Sequence, residues 1–273
     1  MTRPLRCRVT TPIPVLRKDL QLRTFGKLEL WPAATLRARG NAQARQVALA
    51  HGVLRAAGHG DYLTTIDNRN AEPRIRPFRR LRASEQVELR RWRVTRHRPS
   101  RCQPGPGHPE HARRALGIPK HATGAQPAHQ QPDTLGLAGW DRYGRPLWLV
   151  PPAARAWHQL QRAAAFSGIA LDAISGFRSY AHQTGIFRRK LQRGQTLDDI
   201  LRVNTAPGFS EHHSGRALDI GCPGEPPAET SFERTAAFAW LRDNAPRFGF
   251  VLSYPRGNTL GIDYEPWHWC WHR

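Results

Sequence analysis

From Pro151 onward the apolar positions of this chain recur at helical spacing. In PPAARAWHQLQRAAAFSG, Trp157, Leu160 and Ala164 fall on one face, two prolines open the run and Gly168 closes it, which predicts an amphipathic helix. The run IALDAIS then predicts a strand, and Tyr180 to Arg193 a second helix ended by Gly194. Thr196 is placed to cap a shorter helix carrying Leu197, Ile200 and Leu201. Further on, Ala217, Leu218 and Ile220 follow the turn residue Gly215 and predict a short strand. Thr230 and Glu233 form a T-x-x-E capping box ahead of Phe238, Trp240 and Leu241, a helix that should run on toward Pro246. FGFVLSYP and the stretch around Trp267 and Trp269 complete one mostly antiparallel sheet, with the aromatics as core. The pattern is that of an α+β domain, a small sheet with flanking helices.

Residues 1–115 read differently. Prolines are scattered through them, and VALAHGVLRAA is the one convincing helical patch. Little there offsets the entropy of ordering, so a basic, disordered region is expected ahead of a folded domain at 116–273. Charge sharpens the division, because residues 1–134 hold 26 Lys and Arg against 9 Asp and Glu, a net +17 of the whole chain's +21. RIRPFRRLR and RRWRVTRHRPSR could bind nucleic acid, an anionic membrane or acidic cell-wall polymers through counterion release. A composition dominated by Arg, Pro, Ala, His and Gln is also what a GC-rich coding region yields when read from a wrong start.

Candidate chemistry is concentrated in SEHHSGRALD and EPWHW, between Ser210 and Trp269. A catalytic zinc needs three protein ligands and one position left open for water. His212, Asp219 and His268 can supply that set, with Glu265 standing by as the base that takes a proton from the zinc-bound water. His213 competes with His212, since adjacent residues on an extended chain point to opposite sides. Composition does not choose between them. Without partners, each of these histidines would read as a solvated loop residue.

S-x-H-x-x-G-x-A-x-D followed by E-x-W-H resembles the pattern of the zinc D-alanyl-D-alanine peptidases, the group of VanY-type carboxypeptidases and VanX-type dipeptidases. Here it is Ser210, His212, Gly215, Ala217 and Asp219, then Glu265, Trp267 and His268, without departures. The resemblance implies one Zn2+ held by His212, Asp219 and His268, with Glu265 as catalytic base and His213 as a neighbour. Upstream, SGFRSYAHQ matches a third element of that family through Ser175, Gly176, Phe177, Arg178, Ser179 and Gln183. Arg178 is implied as the planar cation that meets a substrate carboxylate or the oxyanion formed when water attacks a carbonyl. Gln183 and Ser210 are implied as substrate-positioning residues. The resemblance covers roughly Leu116 to Arg273 and implies hydrolysis of the peptide bond next to a C-terminal D-amino acid in peptidoglycan stem peptides.

That substrate class places the enzyme in the cell envelope or periplasm, yet MTRPLRCRVTTPIPVLRKDL has no apolar core of a secretory signal. No run of 18 apolar residues predicts a membrane span either. Cys222 and Cys270 are expected as free thiols packed as small apolar groups, with a disulfide between them as the alternative. An endolysin-like cell-wall endopeptidase is the nearest rival within the enzyme class. Outside it stand a non-catalytic zinc-dependent cell-wall binding module and an arginine-driven nucleic-acid binder.

Overall fold

Leu22 and Thr24 are buried while Gln21 and Arg23 face solvent, the period-two alternation of a half-buried strand. This strand begins the computed structural model, which describes residues 20–38, 40–67, 73–95, 109–123 and 126–272. The elements in the first part of the chain are β1 (Gln21–Phe25), β2 (Leu28–Pro32), α1 (Asn41–Ala48), β3 (Gly52–Ala56), β4 (Tyr62–Asp67), β5 (Arg74–Pro77), α2 (Ala83–Thr95) and α3 (Pro109–Arg114). They continue with β6 (Thr134–Trp140), β7 (Pro146–Leu149), α4 (Pro151–Phe166), β8 (Asp172–Ser175), α5 (Tyr180–Gln192) and α6 (Leu197–Arg202). β9 (Ala217–Gly221), α7 (Ala236–Asn244), β10 (Phe250–Leu252) and β11 (His268–Trp271) complete the order.

Two antiparallel sheets organise these elements. One runs β5-β4-β3-β2-β1-β6-β7, the other β10-β11-β9-β8. The small sheet and its helices are those expected from the apolar spacing. α4 buries Trp157 and Leu160 against Leu218, Ile220, Phe250 and Trp269 of that sheet, and each large side chain so buried contributes roughly 1.5–3 kcal/mol. Thr196 caps α6 by accepting from the Asp199 N–H. The expected Thr230 capping box does not form. Residues Thr230–Arg234 make a 3-10 turn without a side-chain cap, and Thr235 caps α7 instead, accepting from the Phe238 N–H at 3.1 Å.

The expected disordered arm is corrected over residues 20–38, 40–67 and 73–95. β1 to β5 are antiparallel neighbours enclosing a core of Leu28, Leu54, Leu63, Ile66 and Trp92. The helical patch VALAHGVLRAA divides: Val47 and Ala48 end α1, while Gly52–Ala56 becomes the strand β3 with Val53 and Leu54 fully buried. Pairing on both edges of β3 overrides local helix propensity there. Arginine density misled because the strands alternate it with apolar positions, and because several guanidiniums are engaged. Arg79 and Arg82 bind Glu85 at 2.7 and 2.6 Å and close the start of α2, and Arg55 lies 4.5 Å over the Trp31 ring. RIRPFRRLR contributes β5, and RRWRVTRHRPSR begins inside α2, where Trp92 is buried; its later residues lie outside the described ones. β1 also pairs with β6, on the other side of residue 116, through Gln21–Gly136, Leu22–Leu135 and Arg23–Thr134.

Among the described residues no helix is long and apolar enough to cross a membrane. Cys222 and Cys270 are free, the first half-buried and the second buried; Cys7 and Cys102 lie outside the described residues.

Candidate metal centre

Asp219 and His268 are directly opposite each other across the β9–β11 pair, so their side chains stand side by side on one face of the sheet. The third group arrives from a 3-10 turn, Glu211–Ser214, that ends on Gly215 in the left-handed conformation. A side chain at Gly215 would be strained by that backbone and would also meet the Leu135 Cδ2 at 2.5 Å. The turn lays His212 against β8's continuation: the His212 carbonyl accepts from the Arg178 N–H at 3.1 Å, and its Nδ1 meets the Gly176 carbonyl at 2.8 Å. Gly176 is glycine for want of room, since a Cβ there would lie 2.8 Å from Leu147 Cδ1 and 3.0 Å from the Trp148 carbonyl oxygen.

With Nδ1 committed to a carbonyl, His212 turns Nε2 toward Asp219 Oδ2 at 3.3 Å. His268 approaches the other carboxylate oxygen, Nδ1 to Oδ1 at 3.2 Å, and gives Nε2 to Glu211 Oε2 at 2.9 Å. One donor atom from each of His212, Asp219 and His268 lies within 4.8 Å of the others. All three residues are buried, at 4, 7 and 2% exposure. Two imidazoles and one carboxylate, each imidazole steadied through its other nitrogen by a carbonyl or carboxylate, are residue types and an outer shell that could hold a metal ion such as zinc. His213 is elsewhere: fully buried, its Nδ1 is on the Arg178 carbonyl and its ring 4.7 Å from that of Tyr180. The structure thus brings His212, not His213, to Asp219 and His268.

Charge is tightly arranged here. Burial would raise the Asp219 carboxyl, but the His212 charge and hydrogen bonds from both histidines hold it well below the usual range. Burial would lower His268, yet its bonds to Asp219 and Glu211 push it up to about 10. Glu265 lies at the same place, its Oε2 3.8 Å from His268 Nδ1. Burial pushes it up to about 7, against the pull of His268.

Arg178 is also enclosed. Its Nη1 donates to Gln183 Oε1 at 3.0 Å and Nη2 to Ser175 Oγ at 3.3 Å, and burial lowers its pKa against the charges of Asp219 and Glu265. Gln183 is 1% exposed and spends its other end on the Thr205 carbonyl at 2.9 Å. It therefore holds Arg178 in place. Ser210 is buried at the start of the His212 turn, with no side-chain capping bond.

Three groups at the site escaped the sequence reading. Glu211 is the carboxylate on His268 Nε2. Tyr254 sets its ring 4.6 Å from that of His268 and offers its carbonyl to the Glu265 N–H at 3.1 Å. His129 reaches the charges of Glu211 and His268 from a loop that bonds the Gly208 carbonyl. Only Glu211 left a signal, a carboxylate adjoining a candidate ligand, because an imidazole ligand needs its second nitrogen fixed.

Residues 147–273 match the family model VanY, D-alanyl-D-alanine carboxypeptidase. Among curated proteins, the chain is 35% identical over 122 residues to the putative carboxypeptidase YodJ of Bacillus subtilis, covering 42% of this chain and 43% of that protein. It is 34% identical over 106 residues to a D-alanyl-D-alanine carboxypeptidase of Enterococcus faecium, covering 38% and 33% respectively. The matches thus span less than half the length of these two curated relatives. Among solved structures, the LdcB LD-carboxypeptidase is 33% identical, with a TM-score of 0.43 and coverage of 45% of this chain and 59% of that one.

Proposed function

We propose that residues 147–273, a VanY-type D-alanyl-D-alanine carboxypeptidase domain, make this protein a zinc-dependent peptidase that removes a C-terminal D-amino acid from peptidoglycan stem peptides. The observation that carries the proposal is the buried convergence of His212, Asp219 and His268 with Glu265 beside them. In this reading His212 Nε2, an Asp219 oxygen and His268 Nδ1 would hold one ion, which requires both imidazoles neutral at their ligating nitrogen. Zinc supplies a lowered pKa for bound water and polarisation of the scissile carbonyl. Glu265, at about 7, is poised to accept a proton near neutral pH and return it to the leaving amine. Arg178 is a fixed, dry cation for the carbonyl oxygen or the terminal carboxylate, and Gln183 with Ser175 keeps it aimed.

Glu265→Ala tests the division of roles. Zinc content should remain near one ion per chain, while D-Ala release from a D-Ala-D-Ala pentapeptide falls by at least ~100-fold, within the range of a lost general base. Near-normal turnover would sink the assignment. Mass analysis of the wild-type products on the same pentapeptide and on a cross-linked peptide separates a carboxypeptidase from the rival endopeptidase.

A further inference from the structure

Cys270 and His272 follow His268 at intervals of two along β11 and its extension, so the three side chains leave the chain on one face. Trp269 and Trp271, between them, turn the other way into the core that α4 covers. Pairing continues past the end of β11, where the His272 N–H donates to the Gly249 carbonyl at 2.9 Å, and this carries the alternation through His272. Glu211 comes down on the same face. Its Oε2 meets His268 Nε2 at 2.9 Å, while Asp219 takes Nδ1 of that ring.

The result is a second group of metal-ligand atoms, one each from Glu211, Cys270 and His272, all within 4.8 Å of one another. Cys270 is 4% and Glu211 9% exposed, whereas His272 is at the surface and gives an ion a way in. The Cys270 thiol bonds the Glu211 carboxylate as well as the Trp271 carbonyl. A divalent ion held by sulfur and carboxylate together would take the place of the thiol proton, which leaves to solvent. Thiolate, imidazole and carboxylate are all zinc donors, and the sulfur selects against magnesium and calcium. Two basic groups face the cluster. The charge of Arg216 reaches Cys270 from an exposed side chain that lies 5.6 Å over the Trp271 ring, and His129 feels Glu211, His268 and His272 from its loop.

We infer that Glu211, Cys270 and His272 form a second, outer metal site for a thiophilic divalent ion such as zinc. The His268 ring stands between it and the centre proposed at His212 and Asp219, and Glu211 serves both. Two cations that share one carboxylate repel each other, so the outer ion binds more weakly than the inner. The outer site does not depend on the peptidase reading, since none of its three residues is assigned to that reaction.

The test is cobalt titration of the full, metal-free protein, followed by metal analysis and by the near-ultraviolet charge-transfer band of a cobalt–thiolate bond. The wild type should take two ions per chain, with the band rising on the weaker one and erased when zinc displaces the cobalt. Cys270→Ser should abolish the band. His272→Ala, at an exposed position where folding is little disturbed, should weaken the second ion by at least ~10-fold, since a lost ligand costs no less than a lost outer-shell partner. Both variants should keep the first ion. A wild type without the band, a band that survives Cys270→Ser through Cys7, Cys102 or Cys222, or a second ion unmoved by His272→Ala would overturn the inference. His212→Ala should lose the inner ion and keep the band; a band lost with His212 would place the sulfur in the inner centre and overturn the outer site. A single ion that gives the band and ignores His212→Ala would leave the outer site standing and remove the centre proposed for catalysis.

Discussion

In the small sheet, His212, Asp219 and His268 are less than a tenth exposed and hold one another's charges, whereas the arginines of β1 and β5 lie on solvent-facing strand positions. The first arrangement is local in pattern and expensive in solvation, so its residue types and spacings are narrow. The second tolerates almost any polar residue outside, provided that an apolar one recurs inside. A charge-rich composition therefore says little about order. What separates a disordered basic arm from a basic sheet is whether every second residue is buried.

The metal-centre side of that contrast breaks most sharply at Asp219, which touches both histidines. Asp219→Ala should reduce zinc affinity by more than ~100-fold, above the ~10–100-fold that outer-shell changes produce; metal analysis after dialysis would show it, and stoichiometric zinc in the variant would misplace the site. On the sheet side, Leu54 is fully buried, and Leu54→Ala should cost about 2–5 kcal/mol. Because β1 pairs with β6, the loss should appear in both halves. Urea unfolding followed by circular dichroism and by zinc release should shift together, and an unmoved zinc-release midpoint would make the N-terminal strands an independent unit.

A smaller effect is expected at Glu211. Glu211→Gln removes the charge behind His268 Nε2 and should lower zinc affinity by about 10–100-fold, while an unchanged affinity would mean that this carboxylate does not steady the ligand. The smallest concerns His158, 8% exposed in α4 with neither ring nitrogen hydrogen-bonded among the described residues. Burial, helped by the charge of Arg162, lowers its pKa from 6.5. The unfolded chain thus takes up the proton first, and stability present above pH 6.5 is lost as pH falls toward the lowered folded value. His158→Leu should raise stability by about 1 kcal/mol and flatten the acid limb of the stability profile. A melting temperature that falls, or an acid limb that keeps its slope, would contradict this.

Much of the small sheet was legible because its signals are near one another. α4 was readable from Trp157, Leu160 and Ala164, α6 from Thr196, and β9 from three apolar residues after Gly215. The cap of α7 was missed by five residues, because T-x-x-E at Thr230 and the hydroxyl of Thr235 are equally plausible until the chain's path into the helix is known. The N-terminal strands were missed for a different reason. Each is four to six residues long, and its stabilisation comes from partners distant in sequence, as with Gln21 and Gly136.

The amino-acid sequence alone determined which residue types are available as donors and their order, since metal chemistry admits few residues and the motifs place them within short stretches. It also determined the small sheet's helices, whose periodicity is a local property. Only the tertiary structure decided that His213 turns away while Glu211 backs His268, that Gln183 bonds Arg178, and that an arginine-rich region closes a cavity against the Arg178 segment. Those outcomes depend on which backbone carbonyls and strands meet in space, and such meetings are set by burial and pairing across more than a hundred residues.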